Sequence, residues 1–319
     1  MQSTVLVTGA NGFIGFEVCK KLREKGFLVR AALRTSPSNQ SFLNFDSIVV
    51  VGEINETTQW DEALKGVSAV IHLAARVHQM KDSSADPLSE ARKINVEGTR
   101  TLAFACVRAS IKRFVYLSSI KAVGEGGSYN ELSTPIPVDP YGISKWEAEK
   151  LLLELAEKGL EPIILRPPLV YGPGVKANFY SLMKWIDRGL PLPLGKVQNL
   201  RSLVYVGNLV DAIILALVHP QVKTRTFFVT DDQDVSTADL VKKIANSFGR
   251  KKALISVPMQ ILNLIFSLLG KKEAFQRLSE SLQADPSLIK NELGWNPPYS
   301  LEEGIQQTVS WYKKNTLSF

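Results

Sequence analysis

The start of the chain carries a glycine-rich segment that constrains the fold more than any other feature of the sequence. Gly9, Gly12 and Gly15 stand three residues apart, after the apolar run 4–8 and at the head of the amphipathic run 16–25. Because glycine lacks a β-carbon, the backbone can turn sharply there and approach a phosphate, and the N-terminus of a helix adds free N–H groups. This strand, turn and helix predict a pyrophosphate-binding loop at the first strand of a parallel sheet.

The first half of the chain alternates short apolar runs with helical stretches. We predict strands over 4–8, 28–33, 47–51, 69–73, 113–117 and 162–166, and helices over 16–25, 87–110 and 141–158. Continuous apolar strands separated by helices are typical of a parallel sheet that is covered on both faces. The sequence therefore predicts an α/β protein with a Rossmann-type, doubly wound parallel sheet.

The texture of the chain changes after Arg166, where prolines and glycines become frequent over 167–195. Such a density of helix- and strand-breaking residues favours loops, and we interpret it as the start of a smaller substrate domain. The run 203–218 is apolar again and is expected to return to the main core, so the two domains interleave. We predict a dinucleotide-binding domain formed by 1–170 and 203–230, and a substrate domain formed by 171–202 and 231–319.

Composition argues against several classes of protein. The two cysteines, Cys19 and Cys106, lie far apart, and the three histidines lack ligand spacing, so we expect no disulfide framework and no metal site. No signal peptide and no apolar run of about 20 residues is found, which predicts a cytoplasmic protein without a transmembrane segment. The net charge of +7 is spread over short clusters. This pattern argues against nucleic-acid binding and suits an anionic substrate.

The end of the second strand indicates which dinucleotide is bound. An acidic residue there binds the ribose 2′-hydroxyl of NAD, whereas an arginine accommodates the 2′-phosphate of NADP. Leu33 occupies the expected position and Arg34 follows it, with no acid nearby in the strand. We therefore predict NADP(H) rather than NAD(H). In the alternative, Arg34 is a solvated loop residue and the protein accepts either cofactor.

Three polar residues form a candidate catalytic set. Tyr141 and Lys145 are four residues apart at the start of a predicted helix, so they share one helical face. A lysine cation favours the phenolate, so we expect Lys145 to lower the pKa of Tyr141 from about 10. Ser119 follows the fifth strand, at the sheet edge where ligands bind. Each feature is common alone, but together with the glycine loop they predict acid–base chemistry at a hydroxyl or carbonyl group.

These motifs resemble the extended short-chain dehydrogenases/reductases of the NAD-dependent epimerase/dehydratase family. The resemblance covers nearly the whole chain and rests on TGANGFIG (8–15), HLAA (72–75), NVEGT (95–99), YLSS (116–119), YGISK (141–145), LRPPLVYGPG (165–174), RSLVYVGNLVDAI (201–213) and LGW (293–295). It implies that Ser119, Tyr141 and Lys145 are catalytic. The family often has aspartate where this chain has Glu53, which weakens the inferred adenine contact.

The resemblance also implies binding residues for the cofactor and the substrate. Those for the cofactor are Gly9, Asn11, Gly12, Phe13, Ile14, Gly15, Arg34, Glu53, Ile54, Leu73, Ala74, Ala75, Asn95, Tyr141, Lys145 and Pro168. Those for the substrate are Arg76, His78, Ser119, Asn178 and Arg201. Alternatives remain for some of them: Asn95 could simply brace its helix, and Arg201 could form a surface ion pair. His72 is interpreted as a core histidine and not as a catalyst.

Within the family, the segments 74–80 and 190–209 are similar to bacterial enzymes of surface-polysaccharide synthesis. The favoured hypothesis is NADPH-dependent reduction of the C4 carbonyl of a UDP-4-keto-6-deoxyhexose, as in 4-reductases that form UDP-N-acetylquinovosamine. The second is a UDP-sugar 4-epimerase of the UDP-glucose type that retains NAD. A remote third is a dinucleotide-binding regulator without turnover. The resemblance also implies a homodimer that pairs through the helices over 87–110 and 141–158.

Overall fold

A parallel sheet of seven strands forms the centre of the computed structural model, which describes residues 2–36, 45–77, 86–220, 222, 225–250, 254–268, 270 and 272–316. The strands are β1 (Thr4–Thr8), β2 (Leu28–Leu33), β3 (Ser47–Val50), β4 (Val67–His72), β5 (Arg113–Leu117), β6 (Gly127–Tyr129), β7 (Glu161–Arg166), β8 (Leu169–Tyr171), β9 (Leu203–Tyr205), β10 (Thr226–Phe228) and β11 (Leu282–Ala284). The central sheet has the order β3-β2-β1-β4-β5-β7-β10, while β6 pairs with β11 and β8 with β9.

The helices are α1 (Phe13–Glu24), α2 (Asp61–Leu64), α3 (Pro87–Arg92), α4 (Gly98–Arg108), α5 (Pro140–Leu155), α6 (Ala177–Asp187), α7 (Val206–Val218), α8 (Thr237–Phe248), α9 (Met259–Leu268), α10 (Lys272–Ser279), α11 (Ser287–Leu293) and α12 (Leu301–Thr316). In the described part of the chain, no helix is both long and apolar enough to cross a membrane.

Both faces of the central sheet are buried, as the apolar strands predict. Alternate residues of β1 point to opposite faces: Val5 and Val7 belong to the core that includes residues of α1 and α7, and Leu6 to the core that includes residues of α4 and α5. This alternation is the period of two that a strand imposes on its side chains. The predicted fold class, a doubly wound parallel sheet of the Rossmann type, is confirmed.

Strand order reverses between β1 and β4, which are neighbours in the sheet. The chain passes outward from β1 to β2 and β3 on one side, and from β4 to β5 and β7 on the other. Connections leave the two halves in opposite directions at this point, so a crevice opens beyond the carboxyl ends of β1 and β4. The glycine loop follows β1 and therefore lies at the mouth of this crevice.

The predicted helix over 87–110 contains an irregular turn. Residues Lys93–Glu97 form a π-helical turn between α3 and α4. Such a turn contains one residue more than a turn of α-helix. Such turns are frequent at functional sites because they redirect a side chain without ending the helix. Asn95, a candidate site residue, lies inside this turn and is buried.

The prediction that 167–195 consists of loops is wrong in part. This segment contains β8 and α6, and the breaking residues lie at the ends of these elements and not within them. The apolar residues Phe179, Met183 and Ile186 are buried on one face of α6 at helical spacing. That periodicity carried the helix signal, and the surrounding prolines and glycines obscured it. The division into two interleaved domains stays a prediction.

A buried ion pair joins α5 to β7. Arg166 donates from Nη2 to Oε2 of Glu149 at 2.6 Å, and from Nε to both carboxylate oxygens at 3.1 and 3.2 Å. The two side chains are only 8% and 2% exposed, and the Ser118 hydroxyl donates to the same carboxylate. The pair fixes the helix that carries Tyr141 and Lys145 against the edge of the sheet.

We expect Glu149→Gln to lower the free energy of unfolding by about 3–5 kcal/mol, because it leaves the buried Arg166 guanidinium without a counter-charge. Denaturant-induced unfolding measures this change. The matched control is Glu62→Gln, which breaks an ion pair with Lys65 whose side chains are 77% and 68% exposed. Its expected cost is below about 1 kcal/mol. Equal losses in the two variants would contradict the role assigned to the buried pair.

Candidate functional site

The glycine loop is a tight turn that only glycine fits. Gly9 has a φ of +66°, and a β-carbon there would lie 2.9 Å from the backbone nitrogen of Ala74. A β-carbon on Gly15 would lie 2.1 Å from the carbonyl oxygen of Gly9. Gly12 caps α1 without a side-chain hydrogen bond, and the first turn of α1 holds no acidic residue. The N–H groups of this turn are thus left for an anion, so the loop fits the pyrophosphate of a dinucleotide.

A chain of buried hydroxyl groups holds the segment after β4 against the glycine loop. The hydroxyl of Thr8, at the end of β1, accepts hydrogen bonds from the backbone N–H groups of Leu73 and Ala74 at 3.2 and 3.1 Å. Its own proton is then available to Nδ1 of His72 at 2.6 Å. On the other side of the ring, His72 Nε2 lies 3.0 Å from the hydroxyl of Thr99, which donates to the Asn95 carbonyl oxygen.

This series of hydroxyl groups fixes the protonation state of the His72 ring. Thr8 supplies a proton to Nδ1 and Thr99 presents a lone pair to Nε2, so the ring is neutral with its proton on Nε2. Burial, assisted by the charge of Lys145, lowers the pKa of His72 to about 3. Because hydroxyl groups engage both ring nitrogens, neither nitrogen is available to exchange a proton with a substrate. His72 is therefore part of the scaffold, which agrees with its interpretation as a core histidine.

Asn95 connects the loop after β4 to the helix that carries the candidate catalytic residues. Its Oδ1 accepts from the backbone N–H of Arg76 at 2.8 Å, and its Nδ2 donates to the Arg76 carbonyl at 3.0 Å. The same amide donates to the hydroxyl of Ser144 at 2.9 Å, and Ser144 donates to the Tyr141 carbonyl at 2.8 Å. The structure thus places Asn95 as a brace between two walls of the crevice.

Ser119 and Tyr141 meet at the carboxyl edge of the sheet. Asp139 caps α5 by accepting from the backbone N–H of Gly142 at 2.6 Å, and Pro140 takes the first helical position. A β-carbon on Gly142 would lie 2.3 Å from the carbonyl oxygen of Lys121, so the helix packs directly on the turn that follows Ser119. This packing brings Ser119 and Tyr141 to the same carboxyl edge of the sheet, where the Ser119 hydroxyl lowers the pKa of Tyr141 against the effect of burial.

The structure corrects the expectation that Lys145 lowers the pKa of Tyr141. Burial and the charge of Asp139 raise the pKa of Tyr141 above 10, although the hydrogen bond from Ser119 opposes them. The Lys145 ammonium group donates to the Tyr116 hydroxyl at 3.0 Å and to the Leu117 carbonyl at 2.6 Å. Burial also lowers the pKa of Lys145 to about 7, with Glu149 opposing the shift. Lys145 is thus turned toward β5 and only partly charged near neutral pH.

The other predicted cofactor residues are more widely placed. Arg34 and Glu53 are exposed, each beyond the end of its strand, β2 and β3 respectively. Ile54 packs against Gly98 at the start of α4, where a β-carbon would lie 2.5 Å from its methyl group. Pro168 is buried between β7 and β8. The remaining members, Asn11, Phe13, Ile14, Leu73, Ala74 and Ala75, lie in the glycine loop, at the start of α1 or directly after β4.

The predicted substrate residues are not all gathered at the crevice. Arg76 is held there through its backbone by Asn95. Arg201 donates to the Glu280 carbonyl at 3.2 Å, and burial lowers its pKa, with Glu280 opposing. Asn178 is exposed in the first turn of α6. His78 lies outside the described residues. In the parts of the chain described, no group of three or more His, Cys, Asp or Glu side chains is arranged to hold a metal ion.

Several residues of the site escaped the sequence analysis. These are Thr8, Thr99, Tyr116, Lys121, Asp139, Gly142 and Ser144. Some carried a local signal: Asp139-Pro140 is a cap followed by a proline at the first helical position, and Gly142 breaks helix propensity where backbones meet. Thr8 and Thr99 carried none, because their partner His72 is distant from both in the sequence.

We expect Gly15→Ala to abolish measurable dinucleotide binding, because the new methyl group would overlap the Gly9 carbonyl and force the loop open. Isothermal calorimetry with NAD and NADPH tests this. The control is Gly126→Ala, whose β-carbon would meet nothing closer than 3.6 Å. Binding retained by Gly15→Ala at the level of this control would show that the loop is not the cofactor site.

The neutral state of His72 predicts a pH dependence of stability. The pKa of His72 lies near 3 in the folded chain and near 6.5 when unfolded, so the unfolded state binds more protons between these values. The stabilisation is complete above about pH 6.5 and is lost at about 1.4 kcal/mol per pH unit as the pH falls. We expect the stability difference between the wild-type protein and His72→Asn to shrink on acidification. A difference that is constant from pH 7 to 4 would contradict this.

Comparisons with known proteins agree with this geometry. A family model described as the NAD dependent epimerase/dehydratase family matches residues 5–229. The chain is 41% identical over 316 residues to a UDP-glucose 4-epimerase of Vibrio cholerae, covering 97% of this chain and 95% of that protein. It is 26% identical to N-acetyl-alpha-D-glucosaminyl-diphospho-ditrans,octacis-undecaprenol 4-epimerase of Escherichia coli O157:H7, covering 100% and 99% of the two chains.

A solved structure, MoeE5 in complex with UDP-glucuronic acid and NAD, matches with a TM-score of 0.78 and 28% identity. The match covers 98% of this chain and 100% of that one. The sequence and structural matches extend over the central sheet, the glycine loop and the segments that carry Ser119 and Tyr141. The chain belongs to the NAD-dependent epimerase/dehydratase family of extended short-chain dehydrogenases/reductases.

Proposed function

We propose that the protein reduces or oxidises C4 of a sugar linked to a nucleoside diphosphate, most directly as a 4-keto reductase, with Ser119, Tyr141 and Lys145 as catalytic residues. The observation that carries this proposal is the packing of the start of α5, which carries Tyr141, directly on the turn that holds the Ser119 hydroxyl at the carboxyl edge of the sheet. The crevice at this edge opens beside a loop that fits a dinucleotide. Relatives named as 4-epimerases, one of UDP-glucose and one of a sugar linked to undecaprenol through a diphosphate, support chemistry at C4.

The chain's own residues supply positioning and a proton. A bound nicotinamide would supply the hydride chemistry, held by the N–H groups at the start of α1. In this proposal Ser119 would donate a hydrogen bond to the oxygen on C4, and Tyr141 would exchange a proton with it. Lys145 would bind a hydroxyl group of the nicotinamide ribose. Lys145 is buried, and Ser119 and Tyr141 are partly exposed, so a ligand bound over them would exclude water and strengthen each of these contacts.

Two observations favour net reduction over epimerisation. Since the pKa of Tyr141 is raised, its phenol is protonated near neutral pH and is ready to donate to a carbonyl oxygen. Arg34 is exposed after β2, with no acid in that strand, as suits the 2′-phosphate of NADPH. Because cells commonly use NADPH for reductions, these features support 4-keto reduction of a UDP-4-keto-6-deoxyhexose.

The test is oxidation of NADPH by the purified protein in the presence of a UDP-4-keto-6-deoxyhexose. We expect turnover with NADPH to exceed turnover with NADH, and Tyr141→Phe to lower kcat by about 10²–10⁴-fold, since it removes the proton donor. Tyr299→Phe, which removes the hydroxyl of a partly exposed tyrosine outside the crevice, is the control and should retain activity. The absence of substrate-dependent NADPH oxidation, or full activity of Tyr141→Phe, would refute the proposal.

The second candidate, 4-epimerisation of a UDP-hexose with retained NAD, is favoured by the 41% identity to a UDP-glucose 4-epimerase. In that reaction C4 is oxidised and then reduced on the opposite face, so no cofactor is consumed. The protein as purified should then interconvert UDP-glucose and UDP-galactose without added dinucleotide. Dinucleotide binding with no turnover of any nucleotide sugar would instead favour a regulator. The predicted homodimer through α3, α4 and α5 stays a prediction.

A further inference from the structure

A compact group of three charged side chains lies beside the catalytic hydroxyls. The Lys121 ammonium group is 2.5 Å from Oδ2 of Asp139 and 2.6 Å from Oε1 of Glu125. The side chains of Lys121, Glu125 and Asp139 are 28%, 30% and 16% exposed, so water screens them only in part. Neither the sequence analysis nor the catalytic roles described above assign any function to Lys121.

The backbone of Lys121 contacts both candidate proton-handling elements. Its N–H donates to the Ser119 hydroxyl oxygen at 3.2 Å. Its carbonyl oxygen lies where a β-carbon on Gly142 would approach to 2.3 Å, and Gly142 directly follows Tyr141. Because the Lys121 ammonium also holds Asp139, the cap of α5, one residue fixes the serine and the start of the tyrosine helix together.

The titratable groups around Tyr141 come from several elements. Asp139, the cap of α5, acts on Tyr141 through its charge, whereas Lys145 of the same helix is turned toward β5. From β5, Tyr116 lies close enough to Tyr141 to interact. From β4, His72 is neutral, as derived above. Lys121, on the turn after Ser119, forms ion pairs with Asp139 and with Glu125 and so reaches Tyr141 through Asp139. Burial makes the largest contribution to the raised pKa of Tyr141, and the Asp139 carboxylate raises this pKa further.

Asp139 keeps its negative charge because of its partners. Burial alone would raise its pKa, but hydrogen bonds from Lys121 and from the Gly142 N–H lower it below 3.8. The site therefore holds an anion two residues before Tyr141, where an anion opposes the phenolate. The Lys121 cation lies directly on this anion and offsets its effect. Removal of the Asp139 charge should lower the pKa of Tyr141, and removal of the Lys121 charge should raise it.

We propose that Lys121 is a positioning residue for the Ser119–Tyr141 pair: its backbone sets their spacing, and its ammonium group neutralises the carboxylate beside the tyrosine. This inference rests on the proposed function for its catalytic meaning, but its electrostatic part concerns Tyr141 alone. Lys121 acts through Asp139 and Tyr141 and is assigned no contact with the substrate or the cofactor.

The experiment measures the pH midpoint of the Tyr141-dependent limb of kcat in the dinucleotide-loaded protein. Lys121→Met should raise this midpoint by about one pH unit, and Asp139→Asn should lower it by about one, since each changes one nearby unit charge. Asparagine retains the helix cap. Lys121→Arg should restore the wild-type midpoint, and the double variant Lys121→Met/Asp139→Asn should return close to it, because the two charges cancel.

A second readout needs no substrate. Phenolate absorbance of the loaded protein, taken as the difference between each variant and its Tyr141→Phe counterpart, reports the same shifts. The matched control is Arg92→Met, which breaks another ion pair to α5, with Glu147 at 2.6 Å, and should leave the midpoint unchanged. Shifts in the same direction for Lys121→Met and Asp139→Asn, or none, would overturn the inference. A wild-type protein without turnover would refute the proposed function alone, since the absorbance measurement stands apart from it.

Discussion

The hydroxyl group of Thr8 is the contact on which the geometry of the site depends. It joins the ends of β1 and β4 at the point where strand order reverses. The oxygen accepts hydrogen bonds from the N–H groups of Leu73 and Ala74, and the proton is donated to Nδ1 of His72. The backbone after β4 consequently lies so near Gly9 that any β-carbon there would clash. A wider gap would separate the loop that fits the dinucleotide from the wall that Asn95 ties to α5. The hydroxyl therefore links the glycine loop to α5 through hydrogen bonds alone, without charge.

Burial, more than helical neighbourhood, sets the acid–base properties of the site. Lys145 and Tyr141 lie on one helical face, yet desolvation depresses the pKa of the lysine and raises that of the tyrosine. Both shifts favour neutral forms, because a charge loses hydration on burial and gains it back only from a partner. Glu149 opposes the shift on Lys145 and is itself fixed by Arg166. The charged network beneath the crevice thus favours the charged form of Lys145, which burial disfavours.

The sequence predicted the fold and brought forward the candidate site residues, because both depend on local patterns. Apolar runs and glycine spacing act within a few residues, and they identified β1, α1 and the start of α5. The π-turn around Asn95 and α6 were obscured, since packing decides the first and prolines surrounded the second. The pKa of Tyr141 could not be obtained from spacing, because it depends on the direction of the Lys145 side chain and on Asp139. Residues such as Thr8 and Lys121 matter through partners that the fold alone brings together.

Reduction and epimerisation at C4 need the same residues and differ in which protonation state begins the reaction. A reductase begins with a phenol that can give a proton to a carbonyl oxygen, whereas an epimerase begins with a phenolate that can take one from a hydroxyl group. Charges that surround Tyr141 therefore bias the chain between the two chemistries. The Asp139 carboxylate favours the protonated phenol of Tyr141. The Lys121 ammonium group, by the proposal above, offsets this effect through its ion pair with Asp139, which caps α5. On the proposed function, the balance between the two reactions would then depend on residues to which no contact with the substrate is assigned.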